Sequence, residues 1–206
     1  MNTPLPVRAH VEQRREWPTE GECILAHHDD DSLVVYQAYR PEIGEWAIRH
    51  GRLGGPAFSF NRMSWIKPNF LWMMYRSGWG TKAGQEITLG LRIPRRFFNG
   101  LLEQAVGSSF SASGLQGRDE GRERWQQALE SSDVRLQWDP DHAPDGSRLQ
   151  RRAVQLGLRG DALSAFARTE ILEVIDMSAF VAAQRPHALT NDDPRLMTPV
   201  ESLLER

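Results

Sequence analysis

The spacing of apolar residues changes several times along the chain, and each change indicates a new strand or helix. The run Leu33 to Tyr39 is rich in β-branched and aromatic residues, which is typical of a strand. From Pro41 to His50 the apolar positions follow helical spacing, with proline at the start and Gly51 as a stop. From residue 86 the spacing becomes two, which predicts another strand that Pro94 ends.

The same criteria extend to the rest of the chain. Further helices are predicted at 69–76, 97–106, 119–129 and 161–167, and further strands at 58–65, 134–138, 153–158 and 170–177. Six or seven strands and four or five helices in irregular order predict an α+β fold, a single domain with a mixed, largely antiparallel sheet flanked by helices. We place this domain at residues 21–180, after an N-terminal arm of residues 1–20 and before a C-terminal tail of residues 181–206. A capping box from Thr198 to Glu201 predicts a short helix in the tail.

The segment from Asn61 to Arg96 stands apart by its composition. Tryptophan recurs in it every seven residues, at Trp65, Trp72 and Trp79. Its formal charge is about +6, while that of the whole chain is -2. The cations of the segment are Arg62, Lys67, Arg76, Lys82, Arg92, Arg95 and Arg96. Taken singly, each tryptophan is more simply explained by core packing.

This local excess of positive charge requires partners, because a buried cation is costly unless it is paired. Either acids from elsewhere in the chain fold back onto the segment, or an anionic ligand completes it. We expect four of its cations to line one concave surface. They are Arg62, Lys67, Arg76 and Lys82.

Glu86 is the only acid in this segment, and it stands where the predicted strand opens, after a glycine-rich basic loop. A carboxylate held there is a candidate functional group. The alternative is that Glu86 forms a structural pair with Lys82 or Arg92.

Composition excludes several classes of protein. A single cysteine, Cys23, allows neither an internal disulfide nor a cysteine-based zinc site. The run His27 to Asp31 predicts a solvated turn, so no metal site is expected. No apolar run approaches the roughly 20 residues needed to cross a bilayer, and no signal peptide is visible. We therefore expect a cytoplasmic protein without membrane partners.

Four stretches of the chain together resemble a known family. They read VYQAYRPEIGEWAI, RMSWIKPNFLWMMYRSGWGTKAGQE, LQWDPDH and RRAVQLGLRG. Over roughly residues 20–180 the chain resembles the family named domain of unknown function 4291. The order of strand, helix, aromatic-basic segment and glutamate-opened strand is also similar to the ADP-ribosyltransferase superfamily, whose members cleave NAD at the nicotinamide–ribose bond.

The second resemblance implies a set of site residues. Its members use a polar residue on an early strand, here Tyr36 or Gln37. The early strand of this chain lacks the usual histidine or arginine at that place, although Arg40 follows closely. A second strand would supply Ser64 or Trp65, and Glu86 would be the glutamate that opens the third. NAD would be the substrate. Candidate groups for binding it are Arg40, Arg62, Ser64, Trp65, Lys67, Arg76, Trp79 and Lys82.

The residues themselves are compatible with this chemistry. Cations suit a pyrophosphate, aromatic faces suit flat rings, and a carboxylate can stabilise positive charge that develops on ribose. Three functions stay open: an ADP-ribosyltransferase-like enzyme acting on a protein or nucleic-acid acceptor, an RNA or single-strand binding module without catalysis, and an interaction protein without catalysis.

Overall fold

We analysed a computed structural model of the chain, which describes residues 5–110 and 121–205. The first two residues of the helix predicted at 119–129 lie outside this range. The strands are β1 (Val7–Ala9), β2 (Gly21–Glu22), β3 (Leu25–Ala26), β4 (Ser32–Tyr39), β5 (Ser64–Ile66), β6 (Ile87–Pro94), β7 (Val106–Gly107), β8 (Val134–His142), β9 (Arg148–Leu158), β10 (Glu173–Asp176), β11 (Met197–Pro199) and β12 (Ser202–Leu203). The helices are α1 (His10–Gln13), α2 (Pro41–His50), α3 (Phe70–Ser77), α4 (Arg95–Gln104), α5 (Gly121–Ser131), α6 (Gly160–Ala165) and α7 (Ser178–Gln184), with a π-helical turn at Phe166–Glu170 and a 3-10 turn at Arg185–His187.

Two sheets form the framework, and the α+β prediction is confirmed. One sheet has the antiparallel order β10-β6-β4. The other has the order β2-β9-β8-β7, with β5 pairing with β9. In this second sheet β5, β8 and β9 pair antiparallel, whereas β2 on β9 and β7 on β8 are parallel. The sheets are therefore mixed and largely antiparallel.

Backbone hydrogen bonds connect the two sheets at one point. Tyr36 of β4 donates its N–H to the carbonyl oxygen of Lys67 at 2.6 Å, and Lys67 returns a bond to Tyr36 at 3.3 Å. Lys67 directly follows β5, which belongs to the other sheet. This bridge brings the central part of β4 beside β5.

The two faces of β4 pack into two different hydrophobic clusters. Leu33 and Val35 belong to a larger cluster between the sheets, while Val34 and Tyr36 pack against α3 and α7. Because successive side chains of a strand point to opposite faces, a strand buried on both sides reads as a continuous apolar run. The run from Leu33 to Tyr36 has this character.

The boundaries of α2 and α3 follow directly from the sequence. Helix α2 spans the predicted range, with proline in its first turn and Gly51 in the left-handed conformation at φ 64°. Helix α3 begins after Asn69, whose side chain accepts the N–H of Trp72 at 2.7 Å. Gly78 ends it with φ 58°. Pro68 thus precedes the helix and does not form its first turn.

Within residues 5–205, the segments near both ends of the chain are integrated into the fold, which the sequence did not predict. Strand β1 pairs with β11, so residues expected to form an arm and a tail hold each other. The buried side chain of Gln13 donates to the Thr198 hydroxyl at 2.9 Å, and the Trp17 indole donates to the carbonyl oxygen of Glu201 at 2.9 Å. The short helix predicted near residue 200 is wrong, because β12 forms there and pairs with β3.

Candidate functional site

A cavity of about 710 Å³ lies where β4 and β5 meet. Helix α2, helix α3, the loop before β5 and the strands β8 and β9 complete its walls. The lining residues are Gln37, Ala38, Tyr39, Arg40, Ile43, Ala57, Phe58, Ser59, Arg62, Met63, Ser64, Trp65, Lys67, Met73, Arg76, Gly84, Gln85, Gln137 and Gln155. Seven of the eleven residues predicted for the site are among them.

Three of the lining side chains form a closed ring of hydrogen bonds. Gln37 donates its amide N–H to the Ser64 hydroxyl at 2.8 Å, and the Tyr39 hydroxyl donates to the Gln37 carbonyl oxygen at 2.8 Å. The Ser64 and Tyr39 oxygens lie 3.3 Å apart. Since the Tyr39 hydroxyl already donates its hydrogen bond to Gln37, the Ser64 hydroxyl is the group left to donate across this gap.

The ring orients the three side chains but leaves Ser64 without a basic partner. Burial raises the pKa of Tyr39 well above its usual value, so its hydroxyl stays protonated. Gln37 also donates to the carbonyl oxygen of Trp65 at 3.0 Å, which fixes its amide. A serine nucleophile needs an adjacent base, and neither Tyr39 nor Gln37 can act as one.

The charged lining residues are all cations. Arg40, Arg62, Lys67 and Arg76 line the cavity, and its described lining contains no carboxylate. Within residues 5–110 and 121–205, no acid lies within ion-pair distance of Arg62, Lys67 or Arg76. Arg40 does have an acid beside it, with its Nε atom 3.6 Å from Glu42.

Lys67 is the buried member of this set. Its side chain is only 4 % exposed, whereas Arg62 and Arg76 are exposed. Its Nζ atom lies 3.4 Å from the carbonyl oxygen of Trp65 and 5.7 Å from the ring centroid of Trp72. Burial lowers the pKa of Lys67 to about 8, and the charge of Arg76 acts in the same direction.

The fourth predicted cation, Lys82, lies outside the cavity lining. It is exposed, and its Nζ atom donates to the backbone carbonyl of Arg76 at 3.3 Å. The expectation of one concave surface is therefore confirmed for Arg62, Lys67 and Arg76 and wrong for Lys82. The loop that follows Gly78 carries Lys82 away from the cavity.

Glu86 does not belong to the cavity lining, although it directly follows a lining residue in the sequence. It is exposed, and its carboxylate accepts the backbone N–H of Gly84 at 2.9 Å. Gly84 and Gln85 line the cavity and β6 begins at the next residue, Ile87. In the described part of the chain Glu86 forms no ion pair with Lys82 or Arg92. Arg92 pairs instead with Glu173 at 3.0 Å. The structural ion pair that was the alternative explanation for Glu86 is therefore not formed in the described part of the chain.

Tyr36 and Trp79, both predicted for the site, are core residues. Tyr36 and Gln37 lie on opposite faces of β4, so only Gln37 reaches the cavity. Tyr36 is fully buried and packs edge-on against Phe70 at 5.4 Å. Trp79 also packs against Phe70, and its indole N–H donates to the carbonyl oxygen of Pro144 at 3.1 Å.

Two glutamines from the β8–β9 pair belong to the site and were not predicted. Gln137 and Gln155 stand opposite each other in the strand register. Both donate to the carboxylate of Asp139, at 2.8 and 2.7 Å. A polar face of β8 could have been predicted from the sequence, because polar residues alternate at Arg135, Gln137 and Asp139. The pairing of β8 with β9 could not be predicted from the local sequence.

The position of Trp65 depends on a glycine in β9. Trp65 stands opposite Gly157 in the register, and a Cβ atom built on Gly157 would lie 3.0 Å from the Trp65 ring and 2.6 Å from the Met63 sulfur. The missing side chain lets both residues lie across β9 while they line the cavity.

The site thus combines three kinds of group. Unpaired cations can bind phosphate oxygens, amide and hydroxyl groups can bind ribose or a base, and the rings of Phe58 and Trp65 can contact a flat ring. Among the described residues, no group of three or more His, Cys, Asp or Glu side chains is placed to hold a metal ion.

Comparisons with known proteins identify the family. No curated protein and no solved structure matches the chain. Within the described residues, no helix is both long and apolar enough to cross a membrane. The family model described as domain of unknown function (DUF4291) matches residues 23–203, which is most of the chain. The protein belongs to the DUF4291 family.

Proposed function

We propose that the cavity binds a nucleotide, with NAD as the first candidate, and that the chain is an ADP-ribosyltransferase-like enzyme. One observation carries the proposal: Arg62, Lys67 and Arg76 converge on a cavity whose described lining has no carboxylate. Cations gathered without acids lack the partners that a purely structural cluster would have. An anionic ligand supplies them, and arginine is well suited to phosphate oxygens.

The size and the neutral groups of the cavity favour a nucleotide over a simple anion. A volume of about 710 Å³ is within the usual range for small-molecule and cofactor sites. The ring formed by Gln37, Ser64 and Tyr39 presents fixed polar groups, and Trp65 offers an aromatic face. NAD carries the corresponding parts, namely a pyrophosphate, two riboses and two flat rings.

In this proposal Glu86 is the catalytic carboxylate. It is adjacent in sequence to two lining residues, Gly84 and Gln85. Cleavage of the nicotinamide–ribose bond develops positive charge on the ribose, which a carboxylate stabilises. Glu86 must exchange its bond to the Gly84 N–H for contact with the ligand, and its exposure leaves room for this change. The acceptor of ADP-ribose is a protein or a nucleic acid.

The alternative function is binding of RNA or another single strand without catalysis. It is favoured by Tyr75, which is exposed and stacks on His142 with ring centroids 3.5 Å apart. Tyr75 directly precedes Arg76 of the cavity, so a base and a phosphate could be bound side by side. Such binding would weaken steeply with added salt.

A ligand panel tests the proposal and separates it from the alternative. We would measure the melting temperature with NAD, ADP-ribose, ATP and a short RNA, and nicotinamide release in parallel. A ligand at 100 times its dissociation constant adds about 2.7 kcal/mol of stability. We expect stabilisation by NAD and slow release of nicotinamide. Stabilisation by RNA alone would favour the binding module, and no response to any nucleotide would contradict both functions.

A further inference from the structure

The strongest unexplained feature of the cavity is the ammonium group of Lys67. It is buried, yet its described contacts are a backbone carbonyl oxygen and the face of Trp72. Neither neutralises a charge. A buried ammonium with no carboxylate at ion-pair distance is unfavourable, so an anion from outside the chain would stabilise the charged form of Lys67.

The charged groups around Lys67 define what that anion must be. Arg76 of α3 acts on Lys67 as a like charge. Asp139 of β8 is the acid that acts on it with the opposite sign, but no ion pair joins the two residues, and the Asp139 carboxylate accepts bonds from Gln137 and Gln155. Arg40 and Arg62 line the same cavity, and the nearby hydroxyl of Tyr39 stays protonated. The environment of Lys67 is therefore positive on balance.

We propose that Lys67 and Arg76 form a subsite for a phosphomonoester dianion, which Lys67 binds in its protonated form. This inference rests on the proposed function, because it names the anionic group of the nucleotide that enters the cavity. Each phosphate of a dinucleotide pyrophosphate carries about one negative charge, whereas a phosphomonoester carries nearly two at pH 7. A group with two charges and three oxygens satisfies both cations at once.

Two ligand classes carry this group next to a nucleoside. One is a dinucleotide with an additional phosphate on a ribose, as in NADP, and the other is a mononucleotide such as AMP. NAD has the pyrophosphate but no monoester, so it serves as the matched comparison.

The subsite has a thermodynamic signature that ordinary phosphate binding lacks. With a pKa of about 8, Lys67 is only half protonated at pH 8 in the free protein. A bound dianion raises the pKa of Lys67, since opposite charge favours the protonated form. Binding at pH 8 should therefore take up as much as about half a proton per ligand. Above pH 8 the affinity should fall, by about tenfold per pH unit at most.

Isothermal titration calorimetry at pH 8, in two buffers with different ionisation enthalpies, measures this proton uptake. We expect AMP to bind at least about tenfold more tightly than adenosine, and NADP more tightly than NAD. Proton uptake should accompany the binding of AMP and of NADP. Stronger binding of NADP than of AMP would identify the dinucleotide as the source of the phosphate, and the reverse would identify the mononucleotide. Equal affinities for AMP and adenosine, or phosphate-dependent binding without proton uptake, would overturn the subsite.

Two substitutions of Lys67 and one control complete the test. Lys67→Arg keeps the charge but cannot titrate, so it should retain AMP binding and lose both the proton uptake and the decline above pH 8. Lys67→Met should lower AMP affinity about tenfold or more while leaving adenosine unaffected. Lys82→Met removes a similar charge outside the cavity and should change the affinity for neither AMP nor adenosine. Unchanged proton uptake in Lys67→Met would overturn the assignment even if Lys67→Arg does not fold.

The outcomes also separate this inference from the proposed function. Binding and cleavage of NAD with no preference for a phosphomonoester would leave the enzyme proposal intact and remove the subsite. Lys67-dependent uptake with AMP, combined with no binding of NAD or NADP, would keep the subsite and remove NAD as the substrate. Absence of binding by every nucleotide tested would contradict both.

Discussion

The side-chain amide of Gln37 donates to the hydroxyl of Ser64 at 2.8 Å and so joins β4 to β5 inside the cavity wall. This bond lies beside the backbone bridge between Tyr36 and Lys67, where the two sheets meet. Gln37 is only 4 % exposed, and its amide also bonds with Trp65 and Tyr39. The wall of the candidate site and the junction of the sheets are therefore the same structural element.

The first prediction concerns this junction. Gln37→Leu preserves approximate size but leaves the Ser64 and Tyr39 hydroxyls with fewer partners, which should lower the free energy of unfolding by about 1–3 kcal/mol. Urea denaturation measures the change. Gln85→Leu is the matched control, because Gln85 lines the same cavity but has no side-chain hydrogen bond among the described residues; its effect should stay within about 0.5 kcal/mol. Equal effects of the two substitutions would contradict this account of the wall.

The second prediction is that Lys67→Met stabilises the folded protein at pH 7. The pKa of Lys67 falls from 10.5 to about 8 on folding, so below pH 8 the folded state holds a proton less tightly than the unfolded chain. That difference opposes folding by up to about 3 kcal/mol and disappears as pH rises from 8 to 10.5. Methionine removes the charge and keeps an unbranched side chain.

We expect a gain of about 1–3 kcal/mol at pH 7, measured by urea denaturation, and a smaller gain at pH 10. A residue retained for binding is expected to behave in this way, with stability and affinity changing in opposite directions. A loss of stability in Lys67→Met at pH 7 would indicate instead that the ammonium group holds the fold together.

The third prediction concerns the buried carboxyl of Glu201 in the C-terminal segment. Its Oε1 atom accepts the backbone N–H of Phe70, at the start of α3, at 2.7 Å. Burial raises the pKa of Glu201 well above 4.5, with Asp141 adding to the shift and the Phe70 bond opposing it. The folded state therefore binds this proton more tightly than the unfolded chain, so the stability due to Glu201 is greatest at low pH and is lost as pH rises through the raised pKa.

Glu201→Gln keeps the acceptor for Phe70 and removes the titration. We expect the variant to be at least as stable as the wild-type protein at pH 8, and its free energy of unfolding to depend less on pH between 5 and 8. Urea unfolding at both pH values gives the comparison. An unchanged pH dependence would show that Glu201 does not titrate differently in the folded state.

The site residues that were predicted best are those that lie close together in the sequence. Arg62, Ser64, Trp65, Lys67 and Arg76 come from one short basic segment, and their convergence follows from the turn between β5 and α3. The resemblance to the ADP-ribosyltransferases implied Tyr36 or Gln37, but which of the two faces the cavity depends on which face of β4 is covered by α3. That choice is made by tertiary packing, and it puts Tyr36 in the core.

Longer-range pairings could not be read from the sequence. The contact of Gln13 with Thr198 joins positions 185 residues apart, so no local pattern reports it. Gln137 and Gln155 become site residues only through the register of β8 and β9, and register is a property of two strands together. Trp79 was predicted to bind the ligand because it lies in the aromatic and basic segment. Its indole N–H instead donates to the carbonyl oxygen of Pro144 inside the core.

The fourth prediction assigns catalysis to Glu86. Glu86→Gln keeps an oxygen for the Gly84 N–H and lies on the surface, so the melting temperature and the affinity for NAD should not change. Nicotinamide release should fall about 100- to 1000-fold, because a charge-stabilising group of this kind contributes about 2.7 to 4 kcal/mol. Glu45→Gln on the outer face of α2 is the control for loss of an exposed carboxylate. Wild-type release rates in Glu86→Gln would contradict the assignment.

The central claim of the proposed function is that the unpaired cations of the cavity bind the pyrophosphate of NAD or ADP-ribose. Its most direct test is calorimetric titration of NAD and ADP-ribose into the wild-type protein and the double variant Arg62→Ala/Arg76→Ala. Arg49→Ala, which removes an exposed arginine outside the cavity, is the control. We predict measurable binding to the wild-type and control proteins, and a loss of at least about 100-fold in the double variant, whose melting temperature should be unchanged. Equal affinity in all three proteins, or no binding of either nucleotide to the wild-type protein, would contradict the account.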